Sequence, residues 1–216
     1  GRFSFPYIGV DISKHPKVKD ADILHLHWIN GGFFSIKTFE GLKKLKKPLI
    51  WTFHDMWGFT GGCHYTGNCT NYFSECNKCP ALRGGIINKI AHKIYNDKQK
   101  LFYDFDFSIA TCSNWLAEET KKSPLFRNKS VQAIPNPIDI NTFDFFDKAE
   151  SKKLLNLSLD KKYILFGTMT IADKRKGFKY LLKSLKKFAN FLAKEKENYE
   201  ILIFGSEKNV QFDELP

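Results

Sequence analysis

Four of the five cysteines crowd into a 17-residue stretch, Cys63, Cys69, Cys76 and Cys79, spaced C-x5-C-x6-C-x2-C. Thiols gathered at such short intervals can hold a metal as thiolates, pair as disulfides or carry an iron–sulfur cluster. The C-x2-C pair matches one half of a tetrahedral zinc site, whereas the C-x5-C pair is wider than the usual spacing. In a reducing cytoplasm clustered thiols favour a metal over disulfides. A structural zinc is therefore the expectation, with disulfides, free thiols and an iron–sulfur cluster as the alternatives. Such a metal would fold a loop too polar and glycine-rich to build its own core, and no catalytic role falls to it. Cys112 stands apart and reads as a buried core thiol.

A second chemistry-bearing stretch is "GTMTIADKRKG", from Gly167 to Gly177. It offers hydroxyls at Thr168 and Thr170, and cations at Arg175 and Lys176 just ahead of a helical pattern. A helix N-terminus with adjacent cations suits a diphosphate. The stretch is neither G-x-G-x-x-G nor a Walker loop, and by spacing alone an ordinary solvated loop fits it equally well. Two histidines complete the set. His27 and His54 each close an apolar strand pattern, and Asp55 follows the second.

Short apolar runs alternating with helical periodicity must position these residues. Strands are expected at 21–28, 47–54, 107–112 and 130–134, and helices over 34–45, 86–103 and after the capping residue Ser113. The helix over 86–103 carries Ile87, Ile90, Ala91, Ile94 and Leu101 on one face. The stretch 55–85 is irregular and holds the cysteines. "PNPIDINTF" breaks regular structure and reads as a linker. Beyond it come a strand at 162–167, an amphipathic helix marked by Phe178, Leu181, Leu182, Leu185, Phe188 and Leu192, and a strand at 199–205. Strand, glycine loop, helix and strand make a βαβ unit, so the class is α/β with parallel sheets. The expected divisions are a domain at 1–135, a linker at 136–146 and a partial second domain at 147–216. Ligands of open parallel sheets bind outside the carboxyl ends of the strands, which is where His27 and His54 fall.

The chain has 34 Lys and Arg against 23 Asp and Glu, a net charge of +11. Only Arg2, Arg83, Arg127 and Arg175 are arginines, whereas base and phosphate readout leans on the Arg fork. The lysines of "KKLKK", "KKLL" and "LKKFANFLAKEK" read as solvated helix faces, and a basic surface also suits peripheral contact with anionic lipid. No apolar run approaches the ~20 residues of a membrane span, and "GRFSFPYIGV" lacks a signal-peptide core. The expected location is cytoplasmic, including the inner face of the membrane.

"DILHLHW", "WTFHDMWGFTGGCHY", "SNWL", "IPNPIDINTF" and "ILFGTMTIADKRKGFKYLLKSL" occur in this order. Together they resemble the retaining, GT-B-fold glycosyltransferases of family 4, and more narrowly the bacterial branch with an "HDMW.FTGGCHY" segment followed by further cysteines. The resemblance implies two Rossmann-like domains flanking a cleft. The first would present the acceptor, a glycan or lipid-linked glycan, and the second would bind a nucleotide-diphosphate sugar. The family's basic pair on the donor diphosphate falls on Arg175 and Lys176, with Thr168 on the same loop. Its histidine close to the transferring sugar falls on His54. Asp55 would orient His54 or touch sugar hydroxyls, His27 would face the same cleft, and Gly61 and Gly62 would turn the backbone beside them. Cations at the departing diphosphate and neutral groups at an oxocarbenium-like sugar suit such a transfer without a catalytic metal. The association is with surface-polysaccharide or cell-envelope synthesis.

The family's glycine-rich loop would lie upstream of residue 1 and its two donor-binding glutamates downstream of Pro216. The resemblance thus implies that both domains are incomplete here and that the chain is inactive by itself. An inactive remnant would differ only in lacking turnover. A rival from another class is a zinc-stapled, basic nucleic-acid-binding module, which predicts steeply salt-dependent binding to DNA or RNA. No helix pairs Arg with exposed aromatics, so specific nucleic-acid binding is not expected.

Overall fold

A computed structural model describes residues 3–82, 88–195 and 198–206. Arg2, Arg83 and the helical start with Ile87 lie outside the described residues. The chain divides into two compact units, Gly1–Ile138 and Asp139–Pro216.

The first unit is a parallel sheet flanked by helices. Its strands are β1 (Leu24–His27), β2 (Leu49–Phe53), β3 (Ser108–Thr111) and β4 (Val131–Ala133), in the order β1-β2-β3-β4. Every pairing is parallel. Its helices are α1 (Pro16–Asp20), α2 (Ile36–Lys44), α3 (Asn88–Tyr103) and α4 (Asn114–Lys122). The side chain of Ser35 accepts from the Thr38 backbone N–H in a reciprocal capping box that starts α2. Thr38, Phe39 and Leu42 then form the buried stripe of that helix. Ser113 caps α4 in the same way, its Oγ accepting from the Leu116 N–H at 3.2 Å.

β1 alternates, with Leu24 and Leu26 buried and His25 and His27 exposed. β2 is buried along almost its whole length, as a central parallel strand should be. Aromatic side chains fill the core: the Phe102 ring meets Phe39, Trp51, Phe107 and Phe126 at centroid distances of 5.4, 5.9, 5.4 and 5.6 Å. Such edge and stacked contacts add to the burial itself.

The second unit contains α5 (Lys148–Leu154), β5 (Lys162–Thr170), α6 (Phe178–Glu195) and β6 (Tyr199–Ser206), with β5 and β6 parallel. This is the expected βαβ unit, with one correction. The strand runs three residues beyond the expected end at Gly167, so Thr168 and Thr170 belong to β5 and not to the loop, because pairing with β6 continues through an irregularity to Thr170↔Ser206. The threonines read as loop, but β-branched threonine fits a strand. Two short helices, α1 and α5, also lie outside the expected elements. Both units are Rossmann-like α/β structures.

Candidate functional site

Parallel pairing sets His27 opposite Thr52 on β2, so His54, two residues further on, arrives beside His27 at the carboxyl edge of the sheet. His27 Nδ1 lies 3.0 Å from His54 Nε2. One of these nitrogens must donate and the other accept, so the pair cannot hold a proton on every nitrogen. His25, on the same strand face, has its ring tilted against that of His27 with centroids 4.1 Å apart, and it bonds Thr52 Oγ1 at 2.8 Å. Burial and the neighbouring His27 hold His54 below the ordinary imidazole range, with Asp55 pulling the other way. Burial and His27 act on His25 in the same direction. His25 and His54 are thus biased towards the neutral imidazole, which can exchange hydrogen bonds with hydroxyls.

The His27→Gln variant is expected to raise the His54 titration towards the ordinary value of about 6.5, read by long-range 15N NMR of the imidazoles. An unchanged titration would remove His27 as a cause. Because the folded state holds His25 and His54 less protonated than the unfolded chain, both groups make stability fall as pH drops below about 6.5.

Asp55 follows His54 but is engaged elsewhere. Its carboxylate accepts from Trp28 Nε1 (3.1 Å), Asn30 Nδ2 (3.3 Å) and the Trp57 backbone N–H (2.9 Å). It also bonds His64 Nδ1 at 2.7 Å, and His64 Nε2 meets Ser4 Oγ at 2.8 Å. An ionised carboxylate only accepts, so His64 carries its proton on Nδ1. Burial pushes the Asp55 carboxyl up, but the bonds from His64, Trp57 and Trp28 outweigh it and hold the group below the usual carboxylate range. Asp55 and His64 are only 7% and 1% exposed. The carboxylate is thus a knot tying the segment after β1 to the loop after β2; its hydrogen bonds run to these partners rather than to His54. Trp28 reaches it from a left-handed backbone, φ +37°.

Gly61 and Gly62 are buried as well. A Cβ on Gly61 would stand 2.3 Å from the Ala91 carbonyl oxygen, and one on Gly62 would strike the Phe3 ring. Their geometry is that of close packing. Sequence reading missed His25, Ser4, Asn30 and His64 as neighbours of the site. Only His25 left a signal there, two residues before His27 on one strand face.

Cys63, Cys69, Cys76 and Cys79 line one small enclosed space under this loop. None is in a disulfide, and Cys63 Sγ and Cys79 Sγ stand 4.0 Å apart. Burial pushes the Cys63 thiol up to about 12 and the Cys76 thiol up to about 11. Beside them lies Lys98, wholly buried, its Nζ donating to the carbonyls of Trp57 and, at 3.0 Å, Thr60. The ammonium also sits 3.7 Å from the Trp57 ring centroid. Burial drives Lys98 down to about 7, with Cys76, Asp55 and Cys63 opposing. Lys98 occupies the apolar stripe of α3 with Ala91, Ile94, Leu101 and Phe102, so the helical period itself marked it as an odd residue.

In the second unit, Asp173 caps a 3-10 turn, Lys174–Lys176, and Gly177 follows at φ +82°. The Gly177 carbonyl accepts from the N–H groups of Tyr180 and Leu181 at the start of α6. Arg175 is engaged by Asp173, its Nε donating at 3.0 Å, and that bond holds Asp173 below the usual carboxylate range. Lys176 is exposed. Thr168 lies back in β5, with its hydroxyl enclosed and without a partner among the described residues. The loop thus gathers Arg175 and Lys176 at a helix start and leaves Thr168 off it.

Two parallel α/β units make a Rossmann-like protein, and the first carries a pair of imidazoles at its strand carboxyl ends. No protein-family model matches the sequence. Over 107 residues the chain is 35% identical to WcaC of Escherichia coli (strain K12), a protein named provisionally as a colanic acid biosynthesis glycosyl transferase. The match takes in 47% of this chain and 26% of that protein, so the chain spans about a quarter of the relative's length. Among the described residues no helix is long and apolar enough to cross a membrane.

Proposed function

We propose that this chain serves glycosyl transfer, moving a sugar from a nucleotide-diphosphate donor to a glycan or lipid-linked glycan with retention of configuration, as a GT-B enzyme of family 4. The observation that carries the reading is the 35% identity to a protein named as a glycosyl transferase, joined to a hydrogen-bonded pair of imidazoles at the carboxyl ends of parallel strands. In this reading His54, steadied by His27, contacts the transferring sugar. Asp55 acts indirectly, by fixing the loop that follows His54. Lys176 and Arg175 meet the donor diphosphate beside the start of α6 and offset charge on the leaving group. For Arg175 this requires exchanging Asp173 for phosphate oxygens. The net charge of +11 suits work at an anionic membrane surface on the cytoplasmic side, where a lipid-linked acceptor would be found.

The test is made in the host, by replacing the gene's His54 codon with alanine and following incorporation of labelled sugar from nucleotide sugars into envelope glycan. Loss of one polarised hydrogen bond at a reacting sugar should lower the rate by about 100-fold or more. Lys176→Ala should mainly weaken donor binding. Unaltered incorporation by the double variant would overturn the assignment. Steeply salt-dependent, tight binding of DNA or RNA would point to a different class of protein.

A further inference from the structure

The cysteine loop has a chemistry of its own. Cys63 is pinned by an isolated antiparallel bridge to Phe3. Cys76 and Cys79 bracket a turn in which Cys76 and Lys78 both take left-handed backbone, φ +52° and +50°. Two non-glycine residues in that disfavoured conformation sit within three positions of each other, so something must favour this turn. It brings Cys76 and Cys79 into the enclosed space that Cys63 and Cys69 also line. The 4.0 Å between Cys63 Sγ and Cys79 Sγ is far from a disulfide, at about 2.05 Å. It is close to the edge of a sulfur tetrahedron, about 3.8 Å for a metal–sulfur bond of about 2.3 Å. The Gly61 N–H donates to Cys76 Sγ at 3.1 Å, a bond that favours thiolate and commonly supports a metal-bound sulfur.

Lys98 supplies an independent observation. A lysine is almost never fully buried unless it is paired. Among the described residues no carboxylate oxygen lies within ion-pair distance of it, and its hydrogen bonds go to neutral carbonyls. Its electrostatic neighbours are Cys76, Asp55 and Cys63, and Asp55 is already bound to His64. Four thiolates around a divalent cation leave a net charge of −2, which a buried ammonium partly balances.

We propose that Cys63, Cys69, Cys76 and Cys79 bind one zinc ion as four thiolates, with Lys98 as the buried counter-cation. Zinc enters as the aqueous dication, four thiols release four protons to solvent, and no electron is transferred. Among the described residues the metal-ligating side chains do not yet converge on one point, so occupation turns cysteine side chains inward within their shared space. The site is structural: it holds the loop whose other end ties Asp55 and His64. It stands whether or not the protein transfers sugars.

The experiment is metal analysis of the whole protein purified under reducing conditions, without a polyhistidine tag. One zinc per chain is expected, released by an organomercurial that blocks thiols. The cobalt-substituted protein should show the visible bands and the thiolate-to-metal charge transfer of a tetrahedral four-sulfur site. Cys112→Ser should leave the zinc content unchanged. Lys98→Met should speed zinc loss to a chelator by about tenfold or more; equal retention would overturn the role of Lys98. Freely titrating thiols without metal would overturn the site. A denatured mass lighter by two hydrogens per cysteine pair, or iron with acid-labile sulfide, would overturn it equally. The unsubstituted protein decides the main point even where a cysteine variant fails to fold.

Discussion

Truncating Phe102 to alanine is expected to lower the unfolding free energy of the first unit by about 3–5 kcal/mol. The ring is fully buried and touches four other aromatic rings contributed by α2, β2, the segment before β3 and the turn after α4. Its loss leaves a void that these rings cannot all collapse into, because each is fixed by its own backbone element. With a urea slope of about 2 kcal/mol per molar, the midpoint should fall by roughly 2 M while the slope stays the same. Phe102→Leu should recover much of the loss, since volume is largely restored. A fall of under about 1 kcal/mol for the alanine variant would show that Phe102 does not organise this core.

Asp55→Ala is expected to cost a comparable amount, about 3 kcal/mol or more, for a different reason. It strands buried donors on Asn30, Trp57 and His64 at once, and a part-buried one on Trp28. Asp55→Asn keeps the shape but replaces one acceptor with a donor, so it should fall between the alanine variant and the original. The pH dependence separates this knot from simple packing. A carboxylate held below its usual range contributes stability that is present above that range and lost as pH falls through the lowered value. Acid unfolding of the original protein should therefore steepen below pH ~3.8, and the alanine variant should lack that component. An identical acid limb in both would mean that Asp55 is not ionised in the fold.

Much of the fold was legible in the residue pattern because burial imposes period. The strands came from apolar runs, and α2, α3 and α4 from apolar stripes with Ser113 as a visible cap. The two unexpected helices, α1 and α5, contain no fully buried residue, so they carry no clear stripe to be read. The extension of β5 past Gly167 was hidden because it depends on β6, which lies more than 30 residues further along. At the site, strand ends were enough to locate His27 and His54. The partners of Asp55 were not readable. A neighbour in sequence, His54, suggested itself, whereas the actual bonds run to residues whose proximity follows only from the fold. Lys98 was not singled out, although the helical period sets it at a core position of α3 among Ala91, Ile94, Leu101 and Phe102.

The ties that hold the loop after β2 share a property that bears on when it takes shape. Ser4 and His64 are 60 residues apart, Phe59 and Ser123 are 64, Tyr72 and Glu119 are 47, and Thr60 and Lys98 are 38. Each of these contacts closes a long stretch of chain and carries that entropy cost before it contributes anything. The loop is therefore expected to order after the strands and helices on which it rests. Its form depends on distant parts of the chain being brought together, not on any signal within the loop itself.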